Sequence, residues 1–167
     1  MVRQVLLYEL AGNQEPSIRK LHRVSLKDAD AGYDYTGADT NVRELFAFIA
    51  RQVAVVADGQ ERLLGHSFSY ASRQTALGRA SFLGWAKEIK VSGLAGQDIN
   101  DLLAEELARQ QAATVRPVAV LNDTTATLLA AAYLCPDADL GSVCGTGHNT
   151  AYYETQPRHG QPDRVMA

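Results

Sequence analysis

Apolar residues recur along this chain with two different periods, and each change of period marks an element. Residues 4–10 and 18–26 are strand-like runs, and the turn residues of Ala11-Gly-Asn-Gln-Glu-Pro16 between them predict a hairpin. Arg19, Lys20, His22 and Arg23 interleave with Ile18, Leu21 and Val24, as expected of a partly solvated strand. Residues 27–40 show no apolar period and read as a connecting loop. From Asn41 the period lengthens. Val42, Leu45, Phe46, Ile49, Val53 and Val56 share one helical face, Asn41 and Glu44 have capping-box spacing, and Asp58-Gly59 ends the helix. Residues 62–70 return to a strand period, with Phe68 and Tyr70 on one side and Ser67 and Ser69 on the other. The pattern assigns no element to residues 71–91. Asp98 opens a second amphipathic helix that buries Ile99, Leu102, Leu103 and Leu107 and presents Glu105, Glu106, Arg109 and Gln110 as a solvated face.

The last third is organised around one junction. Residues 118–121 are short, largely β-branched and follow Pro117, as a buried strand would, whereas residues 125–134 are rich in Ala and Leu, as a helix would be. Between them stand Asn122, Asp123 and Thr124. Residues 140–144 and 150–154 read as two further strands around Gly145-Thr-Gly-His-Asn149, and the polar, proline-containing residues 155–167 as a loose tail. Strand pairs interleaved with helices argue an α/β or α+β fold.

At 167 residues the chain is long enough for one domain with a single core. Sixteen Lys and Arg against 19 Asp and Glu, with no long run of either sign, give no reason to expect a nucleic acid or an anionic membrane as partner. Cys135 and Cys144 are too few for a disulfide framework and lack metal-ligand spacing, so both are expected reduced and partly buried. His22, His66, His148 and His159 are scattered, so no protein metal site is expected. No apolar run approaches transmembrane length and no signal-peptide pattern opens the chain, which fits a cytoplasmic protein.

Two stretches carry candidate chemistry. At a helix start, unpaired backbone N–H groups and the positive end of the dipole favour the ionised form of the Asp123 carboxylate, the form a general base needs. The same residue types also cap helices where no chemistry occurs, so a plain cap is the competing reading. The turn Gly145-Thr-Gly147 between strands presents backbone N–H groups that can hold phosphate oxygens. It lacks the third glycine of a dinucleotide fingerprint and the lysine of a P-loop, and a plain hairpin turn is its alternative.

Taken together, Leu121-Asn-Asp-Thr124 and Gly145-Thr-Gly-His-Asn149-Thr-Ala-Tyr-Tyr153 resemble the small domain of the eukaryotic-type hexokinases. Leu64-Gly-His-Ser-Phe-Ser-Tyr70 resembles that family's sugar-loop strand, Trp85-Ala-Lys87 its Trp-Thr-Lys segment, and Gly96-Gln-Asp98 the Gly-x-Asp that opens its next helix. These five matches, in order and similarly spaced, cover about residues 3–154.

The resemblance implies the small domain of the hexokinase, actin-like ATPase fold, a mixed sheet with flanking helices, over residues 1–154. It implies an ATP-dependent hexose kinase of glycolysis that moves the γ-phosphoryl of MgATP to a sugar's 6-hydroxyl, the metal arriving with the nucleotide. Asp123 would be the base; Ser69, Lys87, Asn122 and Asn149 would bind the hexose with it; Gly145, Thr146 and Gly147 would face the ATP phosphates. A first phosphate loop just before residue 3 and a large domain after residue 154 belong to the family pattern, so this chain is expected to be a fragment, inactive alone, whose partner is that large domain. Ala71 and Ala86 replace the proline and threonine of the family's Phe-Ser-Phe-Pro and Trp-Thr-Lys. They keep open a non-catalytic sugar sensor or regulatory binding protein, and a weaker alternative is an actin-like ATPase of other specificity.

Overall fold

The computed structural model describes residues 2–10, 15–85, 89–145, 147–154 and 164–166. The chain divides into two compact units, one of residues 1–9, 16–66 and 70–120, the other of residues 10–15, 67–69 and 121–167.

In the first unit, strands β1 (Val2–Glu9) and β2 (Ser17–Ser25) pair antiparallel, with a bulge between Leu7 and Tyr8. The turn expected at residues 11–14 lies outside the described residues. The expected loop at 27–40 contains a small hairpin, β3 (Lys27–Asp28) against β4 (Tyr33–Asp34). Its turn closes because Asp28 Oδ1 accepts the N–H groups of Asp30 and Ala31, at 3.0 Å each, and Gly32 takes a φ of 74°. Lys27 Nζ bonds Asp34 Oδ2 at 2.7 Å, and with help from Thr36 this holds the Asp34 carboxyl well below the usual carboxylate range. Single-residue periodicity cannot detect strands of two residues.

Helix α1 (Val42–Ala57) begins with the expected capping box. The Asn41 side chain accepts from Arg43 N–H at 2.9 Å, and Glu44 returns a bond to Asn41 N–H at 3.0 Å. It ends at Asp58 in the left-handed region, φ 56°. Its buried face includes Val42, Leu45, Phe46, Val53 and Val56 as expected, but Phe48 is buried and Ile49 only half-buried. The phenyl ring of Phe48 packs with Tyr33 and Tyr35, centroids 5.4 and 4.5 Å away, which accounts for its turn inward.

Residues 62–84 fold as β5 (Arg62–Ser67), β6 (Ala71–Ala76) and β7 (Arg79–Gly84), the last two forming an antiparallel hairpin that periodicity did not reveal. Helix α2 (Ile99–Arg109) starts where Asp98 predicts. Asp98 Oδ1 accepts from Asn100 and Asp101 N–H, and its Oδ2 accepts from Ala80 N–H at 3.1 Å, tying the cap to β7. Ile99, Leu102, Leu103 and Leu107 are buried as expected. Glu106 is not on the solvated face, as expected of it; it is 3% exposed. Arg43 of α1 at 3.0 Å and Arg109 at 2.5 Å compensate its charge, and Arg43 also reaches Glu105 at 2.9 Å. A residue-type pattern on one helix could not foresee a cation supplied by the other.

Strand β8 (Val115–Leu121) pairs with β5. The two run the same way: Arg62 N–H meets Thr114 O at one end, and Phe68 N–H meets Leu121 O at the other.

In the second unit, helix α3 (Asp123–Leu134) packs on a hairpin of β9 (Leu140–Cys144) and β10 (His148–Glu154). Of α3, only Thr124 and Leu128 are fully enclosed. The approach of helix to hairpin is set by Gly141, where a Cβ would stand 2.6 Å from Leu128 N and 2.7 Å from Leu128 Cα. Of the expected loose tail, residues 155–163 and 167 lie outside the described residues, and Arg164–Met166 form strand β11 paired to β10 rather than loose chain. Cys135 and Cys144 are free, as expected, but exposed rather than partly buried.

Candidate functional site

The geometry at the end of β8 follows from its pairing. Phe68 N–H donates to Leu121 O at 2.7 Å. One residue beyond this bond on each side stand Ser69 and Asn122, so a hydroxyl and a carboxamide leave the strand pair together. Ser69, Asn122 and Asp123 are all half-buried. Asn122 is the N-cap of α3, and its Oδ1 accepts from Thr124 N–H at 2.9 Å.

The helix begins two residues earlier than the sequence suggests, which puts Asp123 in the first turn rather than in the cap. Its Oδ1 accepts from Thr124 N–H at 2.9 Å and lies 3.4 Å from the Thr124 hydroxyl. Both of its side-chain hydrogen bonds among the described residues fall on Oδ1, and none falls on Oδ2. Fixing one oxygen with a backbone N–H in the first turn of the helix orients the carboxylate. Thr124, the donor, is 0% exposed.

Asn149 pairs with Val143, two residues along from the Gly141–Ala151 pair, and a strand's pleat puts both pairs on one face. That face is the one against α3, since Gly141 abuts Leu128 and Ala151 is fully enclosed. The opposite face carries Ser142, Cys144, His148 and Thr150, with Ser142 Oγ 2.7 Å from His148 Nε2. In the glycine turn, Gly145 N–H donates to Gly147 O at 2.8 Å, so that donor is spent inside the turn. Two expected site residues, Lys87 and Thr146, lie outside the described residues. The segment bearing Lys87 is bracketed by Trp85, whose indole N–H donates to Val91 O at 2.6 Å while its ring meets Tyr70 edge-on at 4.9 Å. Among the described residues no cluster of three or more His, Cys, Asp or Glu could hold a metal ion, and no helix is long and apolar enough to cross a membrane.

The hexokinase family model matches residues 3–133. The chain belongs to the hexokinase family. Human hexokinase-3 is 40% identical over 96 residues, which are 58% of this chain and 10% of that protein. Mouse hexokinase HKDC1 is 34% identical over 116 residues, 66% of this chain and 13% of that protein. The crystal structure of Schistosoma mansoni hexokinase, complexed with glucose, superposes with a TM-score of 0.77 at 30% identity, over 90% of this chain and 33% of that one. A second hexokinase crystal structure gives the same TM-score at 27% identity, over 92% and 36%. The chain thus spans about a tenth of its curated relatives and a third of these solved chains. The fold is the mixed α/β architecture of the hexokinase small domain, as the motifs implied.

Sequence motifs pointed to Asn122, Asp123 and Ser69. They missed what holds β8 in place. Asn100 Nδ2 donates to Pro117 O at 3.0 Å, and Gln74 Nε2 to Val120 O at 2.8 Å. His66 Nε2 lies 2.9 Å from Asn100 Oδ1. Burial pushes the His66 pKa down, and because Asn100 Nδ2 is committed to Pro117 O, the amide oxygen faces the ring and Nε2–H is the donor to it. No local pattern marks such bonds, which join segments tens of residues apart.

Proposed function

We propose that this chain supplies the general base and part of the sugar site of an ATP-dependent hexose kinase. Asp123 takes the proton of the sugar's 6-hydroxyl as that oxygen attacks the γ-phosphorus of MgATP; the bond to the β-phosphate oxygen breaks, giving hexose 6-phosphate and ADP. The observation that carries the reading is the Asp123 carboxylate in the first turn of α3, with Oδ1 anchored to Thr124 N–H and Oδ2 unengaged among the described residues. Phosphoryl transfer asks for little beyond positioning and charge stabilisation, and a carboxylate that orients the nucleophile meets the first need. Ser69, Asn122 and Asn149 suit a neutral, hydroxyl-rich ligand, since hydroxyls both donate and accept. Lys87 completes the sugar set, Gly145, Thr146 and Gly147 face the nucleotide phosphates, and the rest of the catalytic centre comes from a large domain. The chain alone is inactive.

The test grafts this chain in place of the matching third of the schistosome enzyme. Hexose 6-phosphate forms in the graft. It falls by about two to four orders of magnitude in Asp123→Asn, with glucose binding retained. Turnover of Asp123→Asn within about tenfold of the parent refutes Asp123 as base, and sugar phosphate made by the chain alone refutes its inactivity. A second reading, a non-catalytic sugar sensor, draws support from Ala71, Ala86 and the Gly145 N–H consumed within its own turn. It gains if the graft binds glucose and never turns over.

A further inference from the structure

Strand β8 leads into Asn122 and Asp123, and among the described residues the strand it pairs with is β5. Successive residues of a strand point their backbone groups to opposite edges, so those of Val120 face away from the edge where Leu121 O meets Phe68 N–H. Buried backbone groups without partners are costly, and something must satisfy them. At Val120 the β6–β7 hairpin does so: Leu77 O accepts Val120 N–H at 2.9 Å, and the Gln74 carboxamide donates to Val120 O at 2.8 Å while also reaching Ala76 O at 3.2 Å. Gly78, next in the turn, comes close enough that a Cβ there would stand 3.2 Å from Val118 O. Three residues earlier on β8, Pro117 O is held by Asn100, 6% exposed, whose own carbonyl is held by His66.

We propose that Gln74 and Asn100 are positioning residues for the Asp123 base: their side-chain amides hold two carbonyls of β8 and fix the strand so that Asn122 and Asp123 leave it in a set register. The proposal rests on the reading of Asp123 given above. Gln74 is bound to the carbonyl only two residues before Asn122, so its loss frees the strand end. Asn100 acts farther back, and its amide can turn only one way, because Pro117 O can only accept and so must face Nδ2. Neither residue touches substrate; both act through the backbone.

Amide hydrogen exchange on the isotopically labelled chain tests this. Gln74→Met keeps the length and apolar stem of an exposed side chain and removes only the amide. Exchange at Val120 and Thr124 is expected to quicken by about fivefold, the worth of one net hydrogen bond, with Leu102 and Leu107 in α2 unchanged. Asn100→Leu is expected to do the same more strongly if it folds; Gln74→Met decides the matter if it does not. A role in bulk stability alone would raise all four amides together. Exchange at Val120 and Thr124 within about twofold of the parent, or an equal rise in α2, overturns the proposal. A glucose titration in the same spectra separates the two claims: signals of Asn122, Asp123 and Asn149 that never move count against the sugar reading and leave the exchange result standing.

Discussion

Replacing Gly141 by alanine puts one methyl group where the structure has room for none. An ideal Cβ at this position lies 2.6 Å from Leu128 N and 2.7 Å from both Leu128 Cα and Cβ. Non-bonded carbon atoms rest at about 3.5–4.0 Å, so the pair must separate by about 1 Å. Two of the three obstructing atoms are helix backbone, and no rotamer change relieves them. The helix must therefore shift against β9, opening the packing around Leu128 and Thr124, both 0% exposed. Overpacking costs about 1–3 kcal/mol, and a backbone obstacle puts Gly141→Ala near the upper end. Gly147→Ala, in the same hairpin, is the control, since a Cβ there meets nothing within 4 Å. Urea titrations followed through the amide signals of Leu128 and Ala151 are expected to show a loss of about 3 kcal/mol for Gly141→Ala and under about 0.5 kcal/mol for Gly147→Ala. A loss below about 0.5 kcal/mol at Gly141 refutes the close-approach argument. Because Asp123 opens the helix that must move, the same substitution is expected to weaken hexose phosphorylation in the grafted enzyme.

Three further outcomes are expected. His66 has its pKa lowered by burial from 6.5, so its contribution to stability is complete above that value and is lost as pH falls below it toward the folded-state pKa. Unfolding free energy should therefore drop between pH 7 and 5 more steeply in the parent than in His66→Phe, by at most about 1.4 kcal/mol per pH unit, and parallel curves contradict it. Glu106→Gln keeps the shape of a buried side chain but removes the charge that faces Arg43 and Arg109; since both arginines are half-exposed, the expected loss is about 1–2 kcal/mol by chemical denaturation, and a stabilised variant would show the pair to be a net cost. Asn122→Ala removes one of the two acceptors of Thr124 N–H, leaving Asp123 Oδ1, and should cost about 0.5 kcal/mol, the low end for a cap, with an unchanged urea midpoint counting against it.

Elements whose signal is local were legible in the sequence. The capping box of α1 needs only Asn41 and Glu44, and the start of α2 needs only Asp98, so both helices began where their residues said. The junction at Asn122 was legible because a β-branched run met an alanine-rich one, though the helix took in Asp123 and Thr124 as well. What escaped depended on distant partners or on elements too short to show a period. The β6–β7 hairpin has mostly exposed residues on β6 and so no alternation to read. Glu106 carries the residue type of a surface position and is buried because Arg43 arrives from another helix. At the candidate site, chemistry alone singled out Asp123 but left a plain cap as its rival until the family's motifs were added, Ser69 stood out only through the motif, and Gln74 and Asn100 through neither, since an amide that bonds a remote carbonyl leaves no trace in spacing.

Val120 O and Pro117 O of β8 are held by side chains rather than by a backbone ladder. A backbone ladder is the same whatever residues it runs through, so it changes only when the fold changes. A hold made of one glutamine and one asparagine can be rewritten by single-nucleotide steps. Descendants of this chain can thus tighten or loosen the strand that leads into Asp123 one substitution at a time, keeping the architecture while the behaviour of the site drifts.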